Sequence, residues 1–273
     1  MSEEYIIPIT QHSAEHLEFI RKERSEHRAV ILSRIIILVA IFVFWEIAAI
    51  MKWIDPFIMS QPTRIAKTIA VLSRDGSLFL HTGITIYETV IGFLSGTILG
   101  TFIAVILWWS RFTARILDPY LVVFNALPKT ALGPIILVWI GGTAGSIIVM
   151  ALLLSIIVTI LNVYQSFKNC DEDKIKLLKT FGATKAQILR KVVLPSSIPD
   201  IISTLKINVG MSLVGVIVGE FLVSSAGLGY LIIYGGQVFK MDLVMTSVII
   251  LAVTAALMYL SVAWVEKKYI KMR

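Results

Sequence analysis

Asp171-Glu-Asp-Lys-Ile-Lys-Leu-Leu-Lys-Thr-Phe-Gly-Ala-Thr-Lys-Ala-Gln-Ile-Leu-Arg-Lys-Val-Val-Leu-Pro195 is a polar, basic stretch in a chain otherwise made mostly of apolar runs. It carries its own helix punctuation. Asp171 is placed to cap a first helix, with Glu172 and Asp173 complementing the positive end of its dipole. Gly182 suits the left-handed residue that closes such a helix. Thr184 and Gln187 have the spacing of a capping box, which predicts a second short helix beginning at Thr184 and ending before Pro195. Ile188, Leu189, Val192 and Val193 give this second helix a narrow apolar stripe, while Lys185, Arg190 and Lys191 face elsewhere. The pair reads as a docking element rather than a core, holding its partner by its shape and apolar stripe.

Composition says what the stretch interrupts. The 273 residues are 57% hydrophobic and 16% charged, with mean hydropathy +0.84, too apolar for a soluble domain and long enough for several membrane spans. A net charge of +7 raises the question of nucleic acid, but the basic residues cluster in alternate loops between apolar runs, the pattern of membrane topology. The partner is therefore a lipid bilayer, with no nucleic acid. Cys170 is alone, which excludes an intrachain disulfide or a multi-cysteine metal cluster. His12, His16, His27 and His81 are scattered and read as solvated. The opening stretch to Arg28 is polar and lacks the apolar run of a secretory signal.

Working outward, residues 13–28 read as a charged surface helix with a Glu18–Lys22 pair. A first span runs from about Ile31 to Met51, and a short surface helix is expected around Thr63 to Leu72. The second span, Ile84 to Trp109, contains Gly92, Gly96 and Gly100 at intervals of four, a smooth face for close helix packing. Arg111 and Arg115 mark a short positive loop. The third span, Tyr120 to Ile140, is interrupted by Pro128 and Pro134 and should be kinked or partly unwound. The fourth covers Ser146 to Val163, and the fifth covers Ile201 to Val223 with Gly215 and Gly219 as a second packing pair. A loop with a short helix leads to the sixth, Leu243 to Val265.

Six spans put both termini on one side. With the N-terminus inside, eighteen Lys and Arg fall on cytoplasmic segments and five outside, leaving Lys129 and Lys206 in the spans. The same count places residues 167–200 in the cytoplasm, where they can meet a soluble partner. No Gly-x-x-x-x-Gly-Lys-Ser/Thr phosphate loop occurs, and no Gly is followed by Lys, so any nucleotide is bound by another chain.

The polar stretch resembles the cytoplasmic signature of permease subunits of binding-protein-dependent ABC importers, which reads Glu-Ala-Ala, three residues, Gly, nine residues, an aliphatic, one residue, Leu-Pro. Gly182, Val192, Leu194 and Pro195 fall on its last four fixed positions, and Ala183 follows the Gly. Lys176, Leu177 and Leu178 stand where Glu-Ala-Ala would, a departure at the signature's acidic position that leaves the helix, turn and helix pattern in place. The segments 127–134, Leu-Pro-Lys-Thr-Ala-Leu-Gly-Pro, with Trp139-Ile140-Gly141, and Gly219-Glu220-Phe221 followed by Gly227-Leu228-Gly229-Tyr230, are similar to the nitrate, sulfonate, taurine and bicarbonate type.

The resemblance implies an all-α, six-span type I permease fold. It comprises a cytoplasmic segment, 1–30, and a permease domain, 31–273, whose core is 84–265 and whose coupling region is 167–200. It implies two ABC ATPase subunits carrying ATP and Mg, with no cofactor in this chain. The other implied partners are an external or periplasmic substrate-binding protein and a second permease copy in a homodimer. The setting is the bacterial cell membrane with both termini cytoplasmic. Lys176, Leu177, Leu178, Gly182, Ala183, Leu194 and Pro195 would couple ATPase motion to alternating access for a small solute: a sulfonate, nitrate, taurine or a vitamin precursor.

Ionisable groups at membrane depth are functional candidates by default. Lys129 and Asn125 in the third span are candidates for the translocation pathway. Glu220, beside Gly219, is a third, with a structural bond to a neighbouring helix as its competing reading. Glu46 and Glu88 are expected to reach water at the outer helix ends. An ion-coupled secondary transporter remains the alternative, although it does not require a structured cytoplasmic helix pair. A membrane enzyme would need a convergent catalytic cluster, and the sequence offers none.

Overall fold

The computed structural model describes the backbone of residues 14–271 and the side chains of 22–268 apart from 24 and 27. The Glu18–Lys22 pair, His12, His16 and His27 lie outside the described side chains. The chain forms two compact units that meet in sequence at Arg64 and Ile65.

The first unit is built on α1 (Ala14–Ile50), which runs unbroken through the charged segment into the apolar span Arg28–Ile50. Asp55 caps the one-turn helix α2 (Pro56–Met59), accepting the Phe57 N–H at 2.8 Å, with Pro56 in the first turn where its missing N–H leaves nothing unpaired. Glu46 does not simply reach water. Its two oxygens accept the Thr63 N–H and hydroxyl at 3.0 and 2.8 Å, capping the start of α3 (Pro62–Arg74).

The second unit is a bundle of long apolar helices: α4 (Ser77–Trp109), α7 (Ala144–Lys168), α10 (Leu194–Val223) and α12 (Met241–Lys271). Between α4 and α7 the chain makes α5 (Arg111–Ala126), a 3₁₀ turn over Lys129–Leu132, and α6 (Gly133–Ile140). Five helices of the described residues are long and apolar enough to cross a membrane, and the bent pair 111–126 and 129–140 makes a sixth. All the regular structure described is helical, as the sequence predicts.

The core is a sandwich of α4, α7 and α10. A Cβ on Gly92 or Gly96 would overlap Ala151 or Ser155, and one on Gly100 would lie 2.6 Å from Thr159 Cβ. From the other side, a Cβ on Gly215 would lie 2.7 Å from Ala151 Cα, and one on Gly219 3.0 Å from Ile147 Cα. Both glycine faces thus close on α7, and Ala151, fully buried, is held between Gly92 and Gly215. Asn208 ties the same three helices: its Nδ2 donates to Thr97 Oγ1 at 2.8 Å and Thr159 Oγ1 at 2.6 Å.

Several boundaries differ from the sequence reading. The positive loop at 111–115 is helical, because Ser110 accepts the Thr113 N–H at 3.2 Å and starts α5 immediately after α4. The third span breaks at Leu127–Pro128 with an 88° bend, whereas Pro134 sits in the first turn of α6 and interrupts nothing. Pro195 does not end the helix that precedes it. A π-turn over Leu189–Val193, in which the Leu194 N–H bonds Leu189 O, widens the backbone ahead of the proline, and the helix runs on from Lys185 to Val223.

Candidate functional site

The Asp171–Pro195 stretch forms α8 (Glu172–Thr180) and α9 (Lys185–Ile188). The Asp171 carboxylate accepts the Asp173 N–H at 2.9 Å, and that bond holds its pKa below the usual carboxylate range. Gly182, at φ +72, closes α8 in the left-handed region and sends the Ala183 N–H back to Leu178 O at 3.0 Å. The Thr184–Gln187 capping box is complete in both directions.

The apolar stripe of the second helix lies inward. Ile188, Leu189 and Val193 are buried against Ala104 of α4 and Val163 and Phe167 of α7, with Val192 packed beside them. The reason is hydrophobic: only one apolar face is available on α9 and the π-turn, and the ends of α4 and α7 offer it a larger apolar surface than water does. The expectation that this stripe docks a partner is therefore corrected. Exposed apolar groups of this region lie on α8 and its closing turn: Leu177 is 57% and Phe181 78% exposed, flanked by Lys176 and Lys179. Lys176 pairs with Asp173 at 3.1 Å and Glu172 at 3.8 Å along α8, and Leu178 and Ala183 are half-buried. Leu194 and Pro195 are half-buried in the first turn of α10. Lys185 donates to Trp109 O at the C-terminal end of α4, and its ammonium lies 5.6 Å from the Trp108 and Trp109 ring centroids, fixing α9 to the membrane helices.

The three candidate pathway residues do not converge. Asn125 and Lys129 lie at the elbow between α5 and α6, where Lys129 Nζ donates to Asn125 O at 3.1 Å; Asn125 is exposed. Glu220 is buried between helices. Its Oε1 accepts the Thr85 hydroxyl at 2.7 Å and its Oε2 accepts the Gly229 N–H. Thr85 in turn accepts the Leu228 N–H at 2.8 Å, and His81 Nδ1 accepts the Gly227 N–H at 2.9 Å. Side chains of α4 and α10 thus take three successive N–H groups at the start of α11 (Leu228–Gln237). Gly227 turns there at φ +115, a conformation open to glycine, and has Glu220 against it.

Sequence reasoning missed His81, Thr85 and Glu88 here. Glu88 was expected near a helix end, but α4 begins at Ser77, seven residues before the expected start of the span, so Glu88 is buried three turns inside it, next to Glu220. The signal available was the i,i+4 run His81, Thr85, Thr89 with Glu88 adjacent, a polar stripe on an apolar helix.

Residues 96–271 match the sequence family described as the binding-protein-dependent transport system inner membrane component. The chain is 27% identical over 256 residues to the putative aliphatic sulfonates transport permease protein SsuC of Bacillus subtilis, covering 94% of this chain and 93% of that one. It is 30% identical over 190 residues to the formylaminopyrimidine transport permease protein ThiX of Halalkalibacterium halodurans, covering 70% and 75%. Among solved structures, an inward-facing form of the MetNI methionine ABC transporter aligns with a TM-score of 0.62 at 18% identity, covering 74% of this chain and 97% of that one. At that identity the likeness is one of fold.

Proposed function

This chain belongs to the family of binding-protein-dependent transport system inner membrane components, the permeases of ABC transporters, and from that membership we propose that it forms the membrane pathway of an ATP-driven importer. Its fold is the all-α, six-span fold of type I importer permeases. The solute is a small polar or anionic molecule of the sulfonate, taurine, nitrate or vitamin-precursor kind, a range suggested by relatives named for aliphatic sulfonates and formylaminopyrimidine. Two ATPase subunits bind ATP and Mg beneath a pair of permease copies, and an external binding protein delivers the solute. In this reading the loop 169–184 and both termini face the cytoplasm of a bacterial cell, in accord with the bias of Lys and Arg toward that side.

The observation that carries the proposal is the α8–α9 element. It is anchored from behind by buried Ile188, Leu189 and Val193, yet it presents Leu177 and Phe181 outward. A rigidly backed helix with exposed apolar side chains is suited to pass the motion of an attached ATPase into the spans. Asn125 and Lys129, at the broken third span, are the proposed pathway residues, and Lys129 offers a positive charge to an anionic solute. The test is uptake into proteoliposomes that hold this chain with a partner ATPase and a binding protein. Accumulation of labelled solute is expected only with ATP and Mg inside the compartment that faces α8. Uptake driven by an ion gradient without ATP would establish a secondary transporter instead.

A further inference from the structure

Between the α8–α9 element and the ends of the spans lies a cavity of about 860 Å³. It is bounded by the end of α4, the first residue of α5, the end of α7, the inner side of α8, and α9. Arg111, Lys168, Lys176, Lys179 and Lys185 line it against the single carboxylate of Glu172. The cations come from four different elements, so their convergence is a product of the fold and not of one basic run. Lys176 pairs along α8 and Lys185 is held on Trp109 O, but Arg111 and Lys179 pair with no carboxylate among the described residues. Five cations held around one volume repel one another, and an anion placed among them removes that repulsion.

We propose that this cavity binds the phosphate-bearing headgroup of an acidic phospholipid. The bilayer is favoured as the source by what surrounds the charges. Trp108 and Tyr164 line the cavity at the ends of two spans, where aromatic side chains mark headgroup level. Next to Arg111, Phe112 is 75% exposed and presents an apolar surface of the kind an acyl chain covers. A basic pocket between helix ends at the membrane surface is the geometry that recognises a lipid phosphate, and the volume accommodates a phosphoglycerol group. An occupant touching Arg111, Lys168 and Lys179 would tie α8 to the ends of α4 and α7, steadying the element through a lipid as well as through Ile188 and Val193.

The experiment is native mass spectrometry of the purified full-length chain in a neutral detergent doped with equimolar phosphatidylglycerol and phosphatidylcholine. Phosphatidylglycerol is expected to be retained selectively. The preference should fall about fivefold for each cation removed in Arg111→Gln and Lys179→Gln, and Lys267→Gln with Lys268→Gln, at the end of α12, should leave it unchanged. Lys179 lines the cavity but is solvent-exposed on the short α8, so Lys179→Gln tests the site even where Arg111→Gln disturbs folding, which circular dichroism and gel filtration monitor. Equal retention of the two lipids, or an undiminished preference in Lys179→Gln, overturns the proposal. Displacement of phosphatidylglycerol by millimolar inorganic phosphate or glycerol 3-phosphate also overturns it, because the site then belongs to a soluble anion.

Discussion

The carboxylate of Glu220 accepts bonds from two elements at once, the Thr85 hydroxyl of α4 and the Gly229 N–H that opens α11. Removing it strands a buried N–H and a buried hydroxyl, each worth about 1–3 kcal/mol when left unpaired. Glu220→Ala is therefore expected to lower the thermal midpoint of the purified chain by several degrees, and Glu220→Gln, which keeps one acceptor oxygen, by clearly less. If solute affinity collapses in Glu220→Gln while its midpoint is unchanged, Glu220 acts in the pathway and not as a clamp. Gly182 is a second position where one residue decides a local structure. At φ +72 a β-branched side chain is penalised by about 1–2 kcal/mol or more. Gly182→Val is expected to leave ATP hydrolysis running while transport falls, read as the ratio of solute moved to ATP consumed; normal transport with normal stimulated hydrolysis would refute this. The left-handed turn at Gly182 was legible because its signal is local. The role of Glu220 was not, because its partners are 135 and nine residues away in sequence.

At the scale of the element, the α8–α9 segment divides its apolar residues between two environments. The residues from Ile188 to Val193 fasten it to the spans, and Leu177 and Phe181 stay exposed, where the proposed ATPase would meet them. Burying a Leu or Phe side chain contributes about 1.5–3 kcal/mol. Leu177→Ser with Phe181→Ser is thus expected to weaken retention of the ATPase during co-purification by at least about tenfold, with the permease itself still monodisperse. Val192→Ala, on the inward face, should leave retention nearly intact. The helix starts at Asp171 and Thr184 were readable from their capping residues, since a cap is satisfied within three residues. The passage through Pro195 was not readable. A proline predicts a break, and the π-turn that absorbs it leaves no mark of its own in the residue types.

For the whole molecule, the close approach of α4, α7 and α10 is the feature on which the spans depend. A Cβ at Gly215 would meet Ala151 N and Met150 O at 2.9 Å, backbone atoms that cannot rotate away. Gly215→Ala is expected to cost about 1–3 kcal/mol, seen as a lowered midpoint or as reduced yield in the membrane; a midpoint equal to that of the parent chain would show that α10 can shift on α7. The number of spans, their apolar character, the two glycine faces, the helix caps and the family resemblance were all determined by the sequence alone. Each rests on residue type at short spacing, and in a bilayer the backbone must bond within its own helix. The tertiary structure alone decided that both glycine faces meet on α7, that the stripe from Ile188 to Val193 turns inward, that Glu88 and Glu220 are neighbours, and that five cations share one cavity. These are contacts between residues distant in the chain, set by how whole helices pack, and no local pattern encodes the partner that a face will find.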